Sequence, residues 1–235
     1  MIPVCIFTYS GDALPLKQCV RAINLAGLIP VIIDDAANPL PGWSRGWIDM
    51  LGIDYRQSTF NRRGNLRGTD CAAGICEALA QAAEDHNADA AIKLDTDTII
   101  VDPSWLMGGN VCFTSSNLQR RYAYGCSYSI RRSSALSVAH KLRIDHPDPI
   151  PHAFEDITIW QTLENIGHKF QVHDFNANSG PFCAAPVGAS PHDCRRFGTI
   201  TFGNEPINGW RDRPLETASE MRRFVDWLAS NPAGN

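Results

Sequence analysis

No run of about 18 apolar residues occurs in this 235-residue chain, so no helix is expected to cross a membrane. An excess of basic residues is lacking as well. The 21 Lys and Arg face 25 Asp and Glu, for a net charge of −4, which argues against a nucleic-acid footprint or a basic membrane-surface patch. Basic residues that do cluster come as separated pairs: Arg62-Arg63 with Arg67, Arg120-Arg121, Arg131-Arg132 and Arg195-Arg196. Most suit solvated faces, and one or two suit a diphosphate. Among the eight cysteines there is no CxxC pair, since Cys71 and Cys76 stand too far apart, and no zinc-ligand spacing. Cys5 and Cys112 lie in apolar strand-like runs, as small buried hydrophobes do in a reducing compartment. Met1-Ile2-Pro3-Val4 runs straight into a strand, so no secretory leader is expected. The expectation is a cytoplasmic protein. Repeats and domain boundaries are also absent, and residues 1–235 read as one domain.

What is present alternates. Pro3-Val4-Cys5-Ile6-Phe7-Thr8-Tyr9 reads as a buried strand, followed by a Ser10-Gly11 turn. Leu16, Cys19, Val20, Ile23 and Leu25 recur at helical spacing, and Gly27 closes that helix. Ile29-Pro30-Val31-Ile32-Ile33 is a second buried strand, ending in Asp34-Asp35. Such alternation predicts an α/β, Rossmann-like domain with a mostly parallel central sheet flanked by helices, its ligands beyond the carboxyl ends of the strands. On that logic Thr8, Tyr9, Asp34, Asp35, Asp95 and Asp97 share one rim.

Farther along, the spacing predicts a short helix over 43–51, an extended segment over 54–60 and a basic, glycine-containing loop over 61–68. Arginines in that loop, Arg62 and Arg63 among them, sit beside the start of a helix running to about residue 86. They make either a place for anionic groups or a solvated turn. Thr69 reads as that helix's cap. Strands are expected over 111–114, 122–130 and 169–175, and helices over 131–141, from Phe154 to Gly167, and over 215–228. The last helix carries Met221, Phe224, Val225 and Leu228 on one face. The Pro/Gly/Asn-rich stretch 176–208 has little regular pattern and reads as an active-site flap.

The most telling segment is Ala90-Ala91-Ile92-Lys93-Leu94-Asp95-Thr96-Asp97-Thr98-Ile99-Ile100-Val101. An apolar strand ends in two aspartates one residue apart. Buried, adjacent carboxylates are costly unless a cation compensates them. A hard divalent ion, completed by water and substrate phosphates, is the natural partner. Asp and Thr are also ordinary turn residues, so the motif alone admits a plain strand-to-loop turn.

Taken together, the upstream βαβ half, Lys93-Leu94-Asp95-Thr96-Asp97-Thr98 and the later Phe154-Glu155-Asp156-Ile157 resemble a GT-A glycosyltransferase. The last element is similar to the "ED" of inverting members such as the β1,3-galactosyltransferase and fringe-like families. The resemblance implies a nucleotide-binding half over 1–101 and an acceptor-binding half over 102–235. It implies a nucleotide-sugar donor, a carbohydrate or other hydroxyl acceptor, and a divalent cation, Mn²⁺ or Mg²⁺, on Asp95 and Asp97. Asp156 would take the acceptor proton and Glu155 would orient acceptor hydroxyls. Thr8, Tyr9, Asp34, Asp35, Arg62, Arg63 and Lys93 would contact the donor. His173 would complete the metal shell and tilt it toward manganese, with His192 the competing ligand. His140, His146, His152 and His168 suit surface or capping roles. Trp210 suits either a sugar platform or the core.

Other readings compete. Asp95-Thr96-Asp97-Thr98 also fits the signature of haloacid-dehalogenase-like phosphatases, with Asp95 as nucleophile and Mg²⁺ between protein and substrate. That motif normally opens its domain, whereas here a βαβ half precedes it. A nucleotidyltransferase is weakened by the lack of an N-terminal Gly-rich phosphate loop. A non-catalytic nucleotide- or carbohydrate-binding protein would have no use for Glu155-Asp156.

Overall fold

The computed structural model describes residues 1–62, 66–114, 126–174, 182–185, 188–202 and 214–232. In chain order the elements are β1 (Pro3–Thr8), α1 (Ala13–Leu25), β2 (Ile29–Asp34), α2 (Gly42–Met50), β3 (Asp54–Gln57), α3 (Thr69–Asp85), β4 (Ala90–Leu94), β5 (Thr98–Ile100), β6 (Val111–Thr114), β7 (Ser127–Arg131), α4 (Arg132–Asp145), α5 (Glu155–Asn165), β8 (Gln171–Asp174), β9 (Phe182–Ala184), α6 (Pro191–Cys194), β10 (Thr199–Thr201) and α7 (Pro214–Ser230). The main sheet has seven strands in the order β3-β2-β1-β4-β7-β6-β8. Its neighbours are parallel except at β7, which runs antiparallel to both β4 and β6.

Strand alternation builds two cores, one on each face of the sheet. Val4 and Ile6 of β1, Ile32 of β2 and Ile92 and Leu94 of β4 join Leu16, Cys19, Val20 and Ile23 of α1 and Met221, Phe224 and Val225 of α7. Cys5 and Phe7, Val31 and Ile33, and Ala91 face the other way, against α3, α4 and α5. Because Ala91 looks toward α3 and α5, the two-residue period sends Lys93 to that same side. Gly27, at φ +70°, closes α1 as its position suggests. Among the described residues no helix is long and apolar enough to cross a membrane.

Two expectations need correction. Thr69 does not cap α3; it is the first helical residue, behind Gly68 at φ 106°, ψ 149°, a conformation suited only to glycine. Its hydroxyl instead accepts the Ile150 N–H at 3.0 Å. The stretch 176–208 is not simply irregular, since it contains β9, α6 and β10. β10 pairs antiparallel with β5 and parallel with β9 in a second, three-stranded sheet. Cys183, Cys194, Phe197, Ile200 and Phe202 thereby join the α1–α7 core.

Candidate active site

Strand register decides which residues meet at the rim. Thr8 pairs with Asp34 across β1 and β2, and Ile6 with Leu94 across β1 and β4. Tyr9, Asp35 and Asp95 therefore leave the sheet along one edge. A cavity at the ends of β1 and β2 is lined by Thr8, Asp35, Ser58, Phe60, Arg62 and Leu66, with Phe7 and Ile33 behind. Thr8 is buried and its Oγ1 has no hydrogen-bond partner, which leaves a hydroxyl for a guest. Asp35 accepts the Ala37 N–H at 3.2 Å. Arg62 donates to the Phe7 carbonyl at 2.9 Å and lies 4.5 Å from the centre of the Tyr9 ring. Arg63 and Trp210 lie outside the described residues.

Asp34 has a different task from Asp35. It is fully buried, and its carboxylate accepts the Leu40 N–H at 2.9 Å and the Tyr55 hydroxyl. It anchors the chain after β2. Of two aspartates expected at a ribose or base, with one of them free to do no more than end the strand, Asp34 takes the structural part and Asp35 lines the cavity.

At the end of β4 the Asp95 side chain is 38% exposed, enough to meet a ligand at the rim, while Thr96 is buried. Asp97 accepts a hydrogen bond from the Thr98 hydroxyl at 3.3 Å, and its carbonyl takes the Phe202 N–H at 2.9 Å. A third carboxylate, missed in the sequence, is near enough to feel their charge. Burial pushes the Asp12 carboxyl up to about 7; Arg62 opposes this, Asp97 and Asp95 add to it, and a hydrogen bond with Thr96 lowers it. The signal was available, because Asp12 follows the end of β1 by four residues and so belongs to the same rim.

Lys93 and Glu155 differ most from expectation. Lys93 is 1% exposed, with Nζ 2.5 Å from Asp95 Oδ1 and 3.6 Å from Glu155 Oε1. Burial works to lower its pKa, but Asp95 and Glu155 outweigh it and hold the ammonium above the ordinary lysine value. Glu155 is 5% exposed, and its Oε2 accepts the Asp156 N–H at 2.6 Å. Burial raises its carboxyl well above the usual range; Lys93 opposes that, while Asp156 and Asp95 add to it. Neither side chain is placed to touch a substrate. Both lie beneath Asp95, because the stretch before α5 is laced to the loop before α3. The Gly68 N–H donates to Ala153 at 2.7 Å and the Glu155 N–H to Leu66 at 3.3 Å, while Arg67 bridges to Phe154 and lies 4.7 Å from its ring centre.

Asp156, next to Glu155 at the start of α5, is partly exposed and accepts the Ile157 N–H at 2.8 Å. His173 lies on β8, the edge strand, separated from β4 by β7 and β6. Its ring meets Trp105 edge-on at 5.7 Å, and burial lowers its pKa. His192 is on the surface, 3.4 Å from Asp193. Among the described residues no group of three or more His, Cys, Asp and Glu side chains is gathered to hold an ion. Asp95, Asp97 and His173 are therefore not drawn together as a three-ligand shell. Asp95 and Asp97 offer oxygen donors alone, the kind that a hard dication completed by phosphate and water would take.

The α/β order, the mostly parallel seven-stranded sheet flanked by helices and the C-terminal helix α7 define a GT-A-like fold. No protein-family model matches the chain, and neither does any curated protein. Solved structures do match. The chain is similar to the galactosyltransferase LgtC, solved with donor and acceptor sugar analogs, at 14% identity and TM-score 0.56, over 100% of this chain and 98% of that one. An active-site mutant of LgtC matches at 16% identity and TM-score 0.55, with the same coverage. A glycosyltransferase involved in the glycosylation of the major capsid of PBCV-1 matches at 12% identity and TM-score 0.52, over 94% of this chain and 98% of that one. At these identities the likeness is one of fold.

Proposed function

We propose that the chain is a metal-dependent glycosyltransferase that moves a sugar from a nucleotide donor to a hydroxyl acceptor. The observation that carries this reading is the paired Asp95 and Asp97 on the rim of a glycosyltransferase fold, beside a cavity with an unpartnered buried hydroxyl. Residues 1–101 would bind the nucleotide, with the base or ribose near Thr8 and Asp35. Residues 102–235 would present the acceptor. Mn²⁺ or Mg²⁺ held by Asp95 and Asp97 would neutralise the departing diphosphate as a Lewis acid. Asp156, partly exposed in the first turn of α5, would take the acceptor proton. A single displacement then inverts the anomeric centre. The eight free, buried thiols suit a reducing, cytoplasmic setting.

A thermal-shift panel of UDP-, GDP-, CMP- and dTDP-sugars, with and without Mn²⁺, tests this, because ligand bound to the native state raises the melting temperature. One nucleotide family is expected to stabilise the protein only with the metal. Asp97→Ala should lose that shift, whereas Asp156→Asn should keep it and lose transfer. Transfer by Asp156→Asn at the wild-type rate would remove the base assignment. Silence from every donor, with hydrolysis of a generic phosphate ester in Mg²⁺, would favour the phosphatase.

A further inference from the structure

Lys93 is an expensive residue to place where it lies. It is 1% exposed on a strand face it shares with Ala91, opposite Tyr128 in the register of β4 and β7. A long apolar side chain would fill that space without the cost of burying a charge. Two carboxylates compensate the ammonium, and they do so unequally. Asp95 Oδ1 is at 2.5 Å and Glu155 Oε1 at 3.6 Å, just beyond hydrogen-bonding reach. Glu155 Oε1 is buried and has no hydrogen-bond partner, while Oε2 is occupied by the Asp156 N–H. An unsatisfied buried carboxylate oxygen is unfavourable as it stands, and a shift of the ammonium by about 1 Å on its flexible four-carbon stem would satisfy it.

We infer that Lys93 is a tethered cation that holds Asp95 until a divalent ion arrives, and that Glu155 is the seat that receives the displaced ammonium. This rests on the proposal that Asp95 and Asp97 hold the metal. Asp95 is reached from two sides, by the rim through its exposed portion and by Lys93 from beneath. A dication held by Asp95 would share one carboxylate with the ammonium, and the two like charges would repel. Movement toward Glu155 relieves that repulsion and completes a hydrogen bond at the same time. Lys93 thus lowers the affinity of the rim for a metal alone, while Glu155 limits the penalty. Both are positioning residues that act through Asp95.

The consequence is a pair of effects with opposite signs. Lys93→Met removes the competitor, so Mn²⁺ alone should bind about tenfold more tightly, a size typical of coupling between neighbouring sites. Glu155→Gln removes the charge of the receiving seat, so Mn²⁺ should bind several-fold more weakly. The double variant should bind like Lys93→Met, because Glu155 acts only through Lys93. It also lacks the unpaired buried carboxylate of the single variant, and so carries the test if Lys93→Met does not fold. Free Mn²⁺ is followed by electron paramagnetic resonance during titration of the nucleotide-free protein, with Asp97→Ala as the control for the site. A merely structural ion pair would move both single variants the same way, and that result overturns the inference. So does wild-type uptake that Asp97→Ala abolishes but neither Lys93→Met nor the double variant tightens; the metal reading then survives alone. Absence of uptake by every variant overturns the inference, and the metal reading then stands or falls with the thermal-shift panel, in which the donor supplies its phosphates.

Discussion

Asp34 and Asp35 are neighbours in sequence and opposites in environment. The fully buried Asp34 carboxylate spans from the Leu40 backbone to the Tyr55 hydroxyl, while Asp35 lines the cavity. A buried acceptor stripped of its charge leaves its donors poorly matched, and the cost falls on stability rather than on ligand binding. Asp34→Asn should therefore cost about 1–3 kcal/mol and Tyr55→Phe about 1 kcal/mol, read as shifts of the urea midpoint at constant slope. Wild-type stability in Asp34→Asn, with donor binding lost, would return Asp34 to the ligand. Lys93 and Glu155 teach the same lesson on the other side of the sheet. Each is a chemically suggestive residue whose burial gives it partners inside the protein. Sequence pattern could reveal that Lys93 and Asp95 share a strand face. It could not reveal that Glu155, 62 positions later, closes on them, because that contact depends on how the loop before α3 is laced to the stretch before α5.

Elements differ in legibility for a related reason. β1, β2 and β4 each bury nearly every residue, so their apolar runs announce a central parallel sheet. The face of α7 is equally plain, with Met221, Phe224 and Val225 all buried. β9 and β10 are only three residues each; β10 pairs with the distant β5, and β9 pairs with β10. No local period marks such strands; partners distant in sequence create them. What fixes β10 is the turn before it. The Gly198 carbonyl accepts both the Val101 N–H at 2.8 Å and the Asp102 N–H at 3.0 Å, and Trp105 closes over it, donating to Thr199 Oγ1 at 3.0 Å. A Cβ on Gly198 would stand 2.4 Å from Trp105 Cδ1 and 2.8 Å from the Asp102 carbonyl oxygen. The tryptophan and the backbone are both held, so neither yields readily. Gly198→Ala should cost about 1–3 kcal/mol in chemical denaturation, the usual range for overpacking. A neutral result would mean that the second sheet is loosely attached.

At the scale of the whole molecule, the two cores share one sheet, and cysteines report on both. Cys19, Cys183 and Cys194 belong to the α1–α7 side, and Cys5, Cys71, Cys76 and Cys112 to the α3–α5 side. All eight thiols are free and buried. Burial pushes those of Cys5, Cys71, Cys112 and Cys183 up to about 12, so in the native state neither access nor thiolate is available at pH 8. Reaction with a thiol reagent then requires opening. If the faces open together, as a shared sheet demands, thiols from both cores should react in one slow phase whose rate follows the population of the unfolded protein. Any ligand that binds only the native state should slow that phase by the factor 1 + [L]/Kd. Mn²⁺ with the matching nucleotide sugar is therefore expected to slow all eight thiols about equally, roughly a hundredfold at a hundred times Kd. Mass-spectrometric counting of labelled cysteines over time measures this directly. Early labelling of the α1–α7 thiols alone, unaffected by donor, would instead show that this side opens independently of the rim.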